Sequence, residues 1–185
     1  MMPEHKLTRR AFLGAGLAAA GSLCLPTSVC AAIRRQLVPA RSLSFYNLHT
    51  EEHLEVVYWQ GGKYLAEGLA EINYILRDYR TGELHRIETR LLDLLYALRE
   101  KICCRQPFQV ISGYRSPATN AYLRKKSRAV AKHSLHIEGK AIDIRLAGYP
   151  LSRLRDTAAS LRGGGVGYYP RSNFVHLDVG KIRYW

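Results

Sequence analysis

The chain is short of long apolar runs, of cysteine and of acidic residues, and each shortage narrows what the protein can be. Beyond the N-terminus no window approaches the ~18 apolar residues that a spanning helix needs, so no stable membrane insertion is expected once a leader is removed. Four cysteines in 185 residues are too few for a disulfide framework. Two of them, Cys103 and Cys104, are adjacent and could pair only in a strained ring; they read as two buried thiols near the end of a helix. Fifteen acidic residues against 28 Lys and Arg leave a formal charge of +13. Such a surplus favours any polyanion, whether nucleic acid, acidic lipid or carboxylate-rich wall polymer, without choosing among them. The cations are scattered, and no aromatic-basic stripe of the kind that grips single strands is present; nucleic acid is not an expected partner. Repeats and internal linkers are also missing.

What is present begins with an address. Thr8-Arg9-Arg10-Ala11-Phe12-Leu13 is a twin-arginine pattern heading a mild apolar run from Ala11 to Leu25. Pro26 ends the run, and Val29-Cys30-Ala31 places small residues at cleavage-site positions. Residues 1–31 therefore read as a twin-arginine signal peptide, with the twin-arginine translocase as a passing partner and the periplasm as destination. Neither Cys24 nor Cys30 follows a lipid-attachment pattern. Residues 32–41, basic and containing Pro39, read as a flexible lead-in.

Over 42–185 the apolar periods alternate between two and 3.6. Ser42–Tyr46 and Leu54–Trp59 predict a hairpin. Tyr64, Leu65, Leu69, Ile72 and Ile75 predict a helix over 63–77. A leucine stripe from Leu91 to Leu98 predicts a second helix over 88–102, with its stripe in the core. Phe108–Ile111 reads as a strand, Pro117 opens a helix, Ala141–Leu146 alternates as a strand, and Leu151–Leu161 reads as a helix stopped by Gly163-Gly164-Gly165. Val166–Tyr169 and Phe174–Val179 close the chain as strands. The expected fold is one α+β domain, with a small antiparallel sheet carrying the metal site and helices flanking it.

Three late segments carry chemistry. His136 precedes a turn that Gly139 permits, and Asp143 follows on a strand, so an imidazole and a carboxylate can converge although seven positions apart. His176 stands between apolar Val175 and Leu177, which puts its side chain on the opposite face from theirs. Two His and one carboxylate suit zinc and leave a coordination position for water, the catalytic pattern. Alone, such a trio is common by chance, and a strand His is more often a packed residue than a ligand. His49, His53 and His85 read as surface or hydrogen-bonded residues. Tyr114, Tyr168 and Tyr169 are equally suited to a cleft wall or to the core.

The words around the trio are more specific. Ser112-Gly-Tyr-Arg-Ser116, Ser134-x-His136-x-x-Gly139-x-Ala141-x-Asp143 and the run from Val166 through His176 to Asp178 resemble the MepK (YcbK-like) murein endopeptidases. These belong to the wider zinc peptidases that include D-alanyl-D-alanine carboxypeptidases and phage wall endolysins. The resemblance extends from the leader through Asn47-Leu-His-Thr50 to Arg183-Tyr-Trp185. It implies Zn²⁺ as cofactor, His136, Asp143 and His176 as its ligands, and Arg115 as the group that steadies a developing oxyanion. It further implies a zinc metallopeptidase acting on peptidoglycan stem peptides, an endopeptidase opening cross-links such as those between two meso-diaminopimelate residues.

The general base does not carry over. Relatives in the wider group place a Glu three positions before the last ligand or a His two before it, and here those positions hold Asn173 and Phe174. Asp178 shares the strand face of His176 and is the first candidate, either as base or as the group that orients a ligand. His133, in a loop, is the second. Two other activities stay open: a carboxypeptidase trimming terminal D-alanine, and a catalytically silent wall-binding module, for which Asn173 and Phe174 speak.

Overall fold

Leu43, Phe45 and Asn47 are buried and alternate with the more exposed Ser42, Ser44 and Tyr46, the period of a strand with one face in the core. In the computed structural model, which describes residues 39–127 and 130–185, they form β1 (Ala40–Asn47). β1 pairs antiparallel with β2 (His53–Gln60) in the expected hairpin. The twin-arginine leader and most of the basic segment after it lie outside the described residues. Gly61 and Gly62, at φ of 58° and 86°, turn the chain back so that β3 (Lys63–Tyr64) pairs with the end of β2. The helix expected from residue 63 therefore starts later, as α1 (Ala66–Ile75). It lies close against β2, since a Cβ on Gly68 would run into the Val57 carbonyl.

The leucine stripe forms α2 (Thr89–Ile102), in which Leu91, Leu92, Leu95 and Leu98 are fully buried. Burying each such side chain is worth about 1.5–3 kcal/mol, so this helix anchors the core. Cys103 caps it in the left-handed region and is exposed, while Cys104 is half-buried. The expectation of two buried thiols is thus corrected: the turn out of the helix carries Cys103 into solvent. Next come β4 (Phe108–Ser112), α3 (Pro117–Lys126), β5 (Ala141–Leu146), α4 (Leu151–Ser160), β6 (Gly165–Tyr169), β7 (Phe174–Asp178) and β8 (Arg183–Tyr184). Ser116 caps α3 by accepting from the Thr119 N–H at 3.1 Å, with Pro117 in the first turn.

The α+β class holds, but the sheet is neither small nor purely antiparallel. Eight strands run in the order β3-β2-β1-β4-β5-β7-β6-β8. β1 pairs parallel with β4, and β6 parallel with β8; the other pairs are antiparallel. The parallel β1–β4 pair joins Phe45 to Phe108 across a connection that includes two helices, a non-local pairing that the apolar period of either strand cannot announce. It welds the N-terminal hairpin to the sheet that carries the candidate ligands. No helix among the described residues is long and apolar enough to cross a membrane.

Candidate functional site

Antiparallel register places Asp143 of β5 directly opposite His176 of β7. His136 comes from the turn before β5, where Gly139 adopts φ 64° and has no room for a Cβ beside the Arg86 carbonyl. That turn is closed by bonds from the Ile137 and Lys140 N–H groups to the Ser134 and Leu135 carbonyls. The three side chains meet, with one ligand atom from each lying within 4.8 Å of the others. His176 Nδ1 is 2.8 Å and His136 Nε2 is 3.3 Å from the same Asp143 oxygen, and the two nitrogens are 3.2 Å apart.

The outward-facing nitrogens decide what points inward. His136 Nδ1 lies 2.7 Å from the Gly113 carbonyl. A carbonyl only accepts, so Nδ1 carries the proton and Nε2 turns a lone pair to the centre. His176 Nε2 donates in the same way to Asp178 at 3.0 Å, leaving Nδ1 facing Asp143. Imidazoles fixed by a carbonyl or a carboxylate behind them are the arrangement found around bound metal ions. Burial lowers the pKa of His136, with Asp143 opposing. Burial alone would raise Asp143, but the two imidazoles outweigh it and hold the carboxyl well below its usual range. Burial would also lower His176; hydrogen bonds to Asp143 and Asp178 overcome it and raise the group to about 9. The centre attracts positive charge, and its nitrogen and oxygen donors fit a divalent cation of the zinc type.

The trio opens on a cleft of about 650 Å³, lined also by Arg115, His133, Tyr169, Phe174 and Trp185. Arg115 follows β4, where Gly113 presses so close to Leu76 that a Cβ would collide with it. The Tyr114 N–H donates to the Leu76 carbonyl and the Arg115 N–H to that of His136. Buried Asp78 holds the next residue by accepting from the Ser116 N–H at 2.8 Å. The guanidinium lies 3.6 Å from Asp143 and makes only long contacts, 3.4 Å each, to Asn120 and Ser112. Its Nε is buried and finds no hydrogen-bond partner among the described residues. Asn120, itself buried, donates from its amide to the Ala131 carbonyl at 3.1 Å, tying the Arg115 side of the cleft to the segment that leads to His133.

Asp178 is fully buried and has its carboxylate filled. One oxygen accepts from the Gly165 and Gly180 N–H groups and from Arg183; the other accepts from His176 and from Arg183 at 2.7 Å. Burial would raise its pKa, but His176, the Gly180 amide and Arg183 hold it low. His133 is exposed at the cleft. His85 stacks on Tyr114, which is buried and does not line the cleft; of the tyrosines considered for that wall, Tyr169 stands there. His49 stacks on Tyr79 and His53 on Tyr46.

Sequence reading missed the Gly113 carbonyl, Asn120, Arg183 and Trp185. The first is a backbone atom without a residue signature. The others touch the site through long-range packing, and only the resemblance at Arg183-Tyr-Trp185 pointed toward the last two.

A family model described as peptidoglycan L,D-endopeptidase MepK matches residues 35–185. Among curated proteins, the peptidoglycan L,D-endopeptidase MepK of Escherichia coli K12 is 44% identical over 184 residues, covering 100% of both chains. The protein of the same name from Shigella flexneri matches equally. The probable peptidoglycan L,D-endopeptidase MepK of Haemophilus influenzae is 42% identical over 178 residues, covering 96% of this chain and 95% of its own. With matches along essentially its whole length, the chain belongs to the MepK family of peptidoglycan L,D-endopeptidases.

Proposed function

We propose that this chain hydrolyses amide bonds in peptidoglycan stem peptides, opening cross-links such as those between two meso-diaminopimelate residues. Zinc would be held by His136, Asp143 and His176. The observation that carries this reading is the converging donor set, two imidazoles each backed by an acceptor and a carboxylate, largely buried beside a cation in the cleft. Bound zinc supplies a Lewis acid for the scissile carbonyl and lowers the pKa of water. Arg115 places a fixed positive charge where the carbonyl oxygen gains negative charge, which favours the transition state over the bound substrate. His133, exposed at the cleft, is the remaining candidate to pass a proton from the attacking water to the departing amine. The twin-arginine leader would deliver the folded enzyme to the periplasm, where its polymer lies.

Of the two roles open to Asp178, orienting His176 suits the geometry, because each carboxylate oxygen is already engaged and the side chain is fully buried. Asp178→Asn is then expected to weaken metal binding by about 10–100-fold, the usual cost of losing a partner behind a ligand. Titration with a competing chelator measures it. A variant that binds metal at full strength but turns over slowly would return Asp178 to the role of base.

The test of the function is incubation of the purified protein with cross-linked muropeptide dimers. Dimers should fall to monomers, stop doing so with a chelator present and resume when zinc is restored, and mass analysis of the products names the bond. Dimers left intact by zinc-loaded protein would defeat the reading.

A further inference from the structure

We infer that Trp185 forms a substrate subsite, a rigid apolar wall that seats the unbranched hydrocarbon arm of the diamino acid next to the scissile amide. The inference rests on the endopeptidase reading above. Trp185 lines the cleft with nearly half its surface, 48%, exposed. An exposed indole on the wall of the cleft offers a bound ligand an apolar face to cover. Its ring centroid lies 5.4 Å from that of His176, whereas Arg115 approaches the trio at Asp143. The centre is therefore bracketed by a cation at one ligand and an apolar plane at another.

The indole is also held in one pose. Its Nε1–H donates to the Tyr169 hydroxyl at 2.7 Å, and the Arg183 guanidinium stands 4.9 Å from the ring. The Trp185 N–H donates to the Val166 carbonyl at 3.2 Å, and a Trp185 main-chain oxygen accepts from the Tyr168 N–H at 2.8 Å. Gly167 of β6 provides the seat: a Cβ there would come within 2.7–2.8 Å of indole atoms Cε2, Cζ2 and Nε1. Gly167 is also the register partner of His176, so the bare strand position lays the indole beside the candidate ligand. A pre-ordered aromatic plane loses little entropy when a ligand settles on it. Amides and carboxylates dominate a stem peptide, and the methylene arm of its diamino acid offers a long hydrocarbon surface for such a plane.

The test uses the full-length, zinc-loaded protein and dimers cross-linked through meso-diaminopimelate. Trp185→Ala should raise KM about tenfold with kcat within about twofold, the pattern for loss of binding common to ground and transition states. Bound zinc should be unchanged, and Trp185→Phe should recover most of the loss. Gly167→Ala, which displaces the indole without removing it, should raise KM in the same direction and add nothing to Trp185→Ala. An unchanged KM in Trp185→Ala, or a fall in kcat with loss of zinc, overturns the subsite; the latter would make Trp185 only a prop for His176. A wild-type protein that cuts no dimer sinks the endopeptidase reading and the subsite with it. Wild-type cleavage alongside an indifferent Trp185→Ala sinks the subsite alone.

Discussion

His176→Ala is expected to strip the protein of its metal and end cleavage together. The residue has two duties that no neighbour can assume. Its Nδ1 lies 2.8 Å from Asp143 and faces His136, and its Nε2 engages Asp178 at 3.0 Å. Removing the ring deletes one of three donors and leaves the fully buried Asp178 with Arg183 and two backbone amides as its partners. The loss of affinity should exceed the ~10–100-fold that follows from losing a partner behind a ligand. Elemental analysis after dialysis, read beside the dimer assay, checks both halves. A variant that keeps cutting would remove the metal hypothesis altogether.

The second large effect falls on Arg115. Arg115→Ala should lower kcat by about 10²–10³-fold, the range for losing one preorganised oxyanion donor, while the metal stays bound. The geometry motivates the split. A guanidinium consumed by structural ion pairs would sit at short distances in matched pairs, yet Arg115 lies 3.6 Å from Asp143 and 3.4 Å from Asn120 and Ser112, with Nε unpartnered among the described residues. Burial lowers its pKa, with Asp143 opposing; a guanidinium stays charged in a protein, and here little water screens it. Arg115→Lys should recover only part of the rate, since a flexible ammonium cannot reproduce the planar fork. Kinetics with metal analysis decide: zinc lost along with rate would show that Arg115 serves Asp143 and not the substrate.

The candidate ligand trio was more legible in the sequence than the sheet that assembles it. His136, Gly139 and Asp143 fall within one short window, but such a pattern is common by chance and His176 lies 33 residues beyond Asp143. It was the resemblance of the surrounding words that singled the trio out. The buried leucines of α2 announce themselves by their helical spacing. The β1–β4 pairing and the place of β8 beside β6 rest on contacts between distant segments, which no window of sequence contains. Lys63 and Tyr64 read as helix because Leu65, Leu69 and Ile72 follow them in step, yet two left-handed glycines fold them onto β2 first. Asp178 was correctly placed on the face of His176 by strand period. That its carboxylate is filled was invisible, since Arg183 and the amides of Gly165 and Gly180 converge on it only in three dimensions.

A wide sheet usually invites trouble at its flanks, where unpaired amides can capture a strand from another molecule. Here both flanks are stubs. β3 and β8 are two residues each, Lys63-Tyr64 and Arg183-Tyr184, and each carries a cation. A foreign strand arriving at either would gain a few hydrogen bonds, worth ~1 kcal/mol apiece, against an ordering cost of ~1–2 kcal/mol for every residue fixed. Two like-charged copies would also repel each other as they approached. The short strand that brings Arg183 to Asp178 thus doubles as a guard against aggregation, and lengthening it with uncharged β-formers would remove that guard.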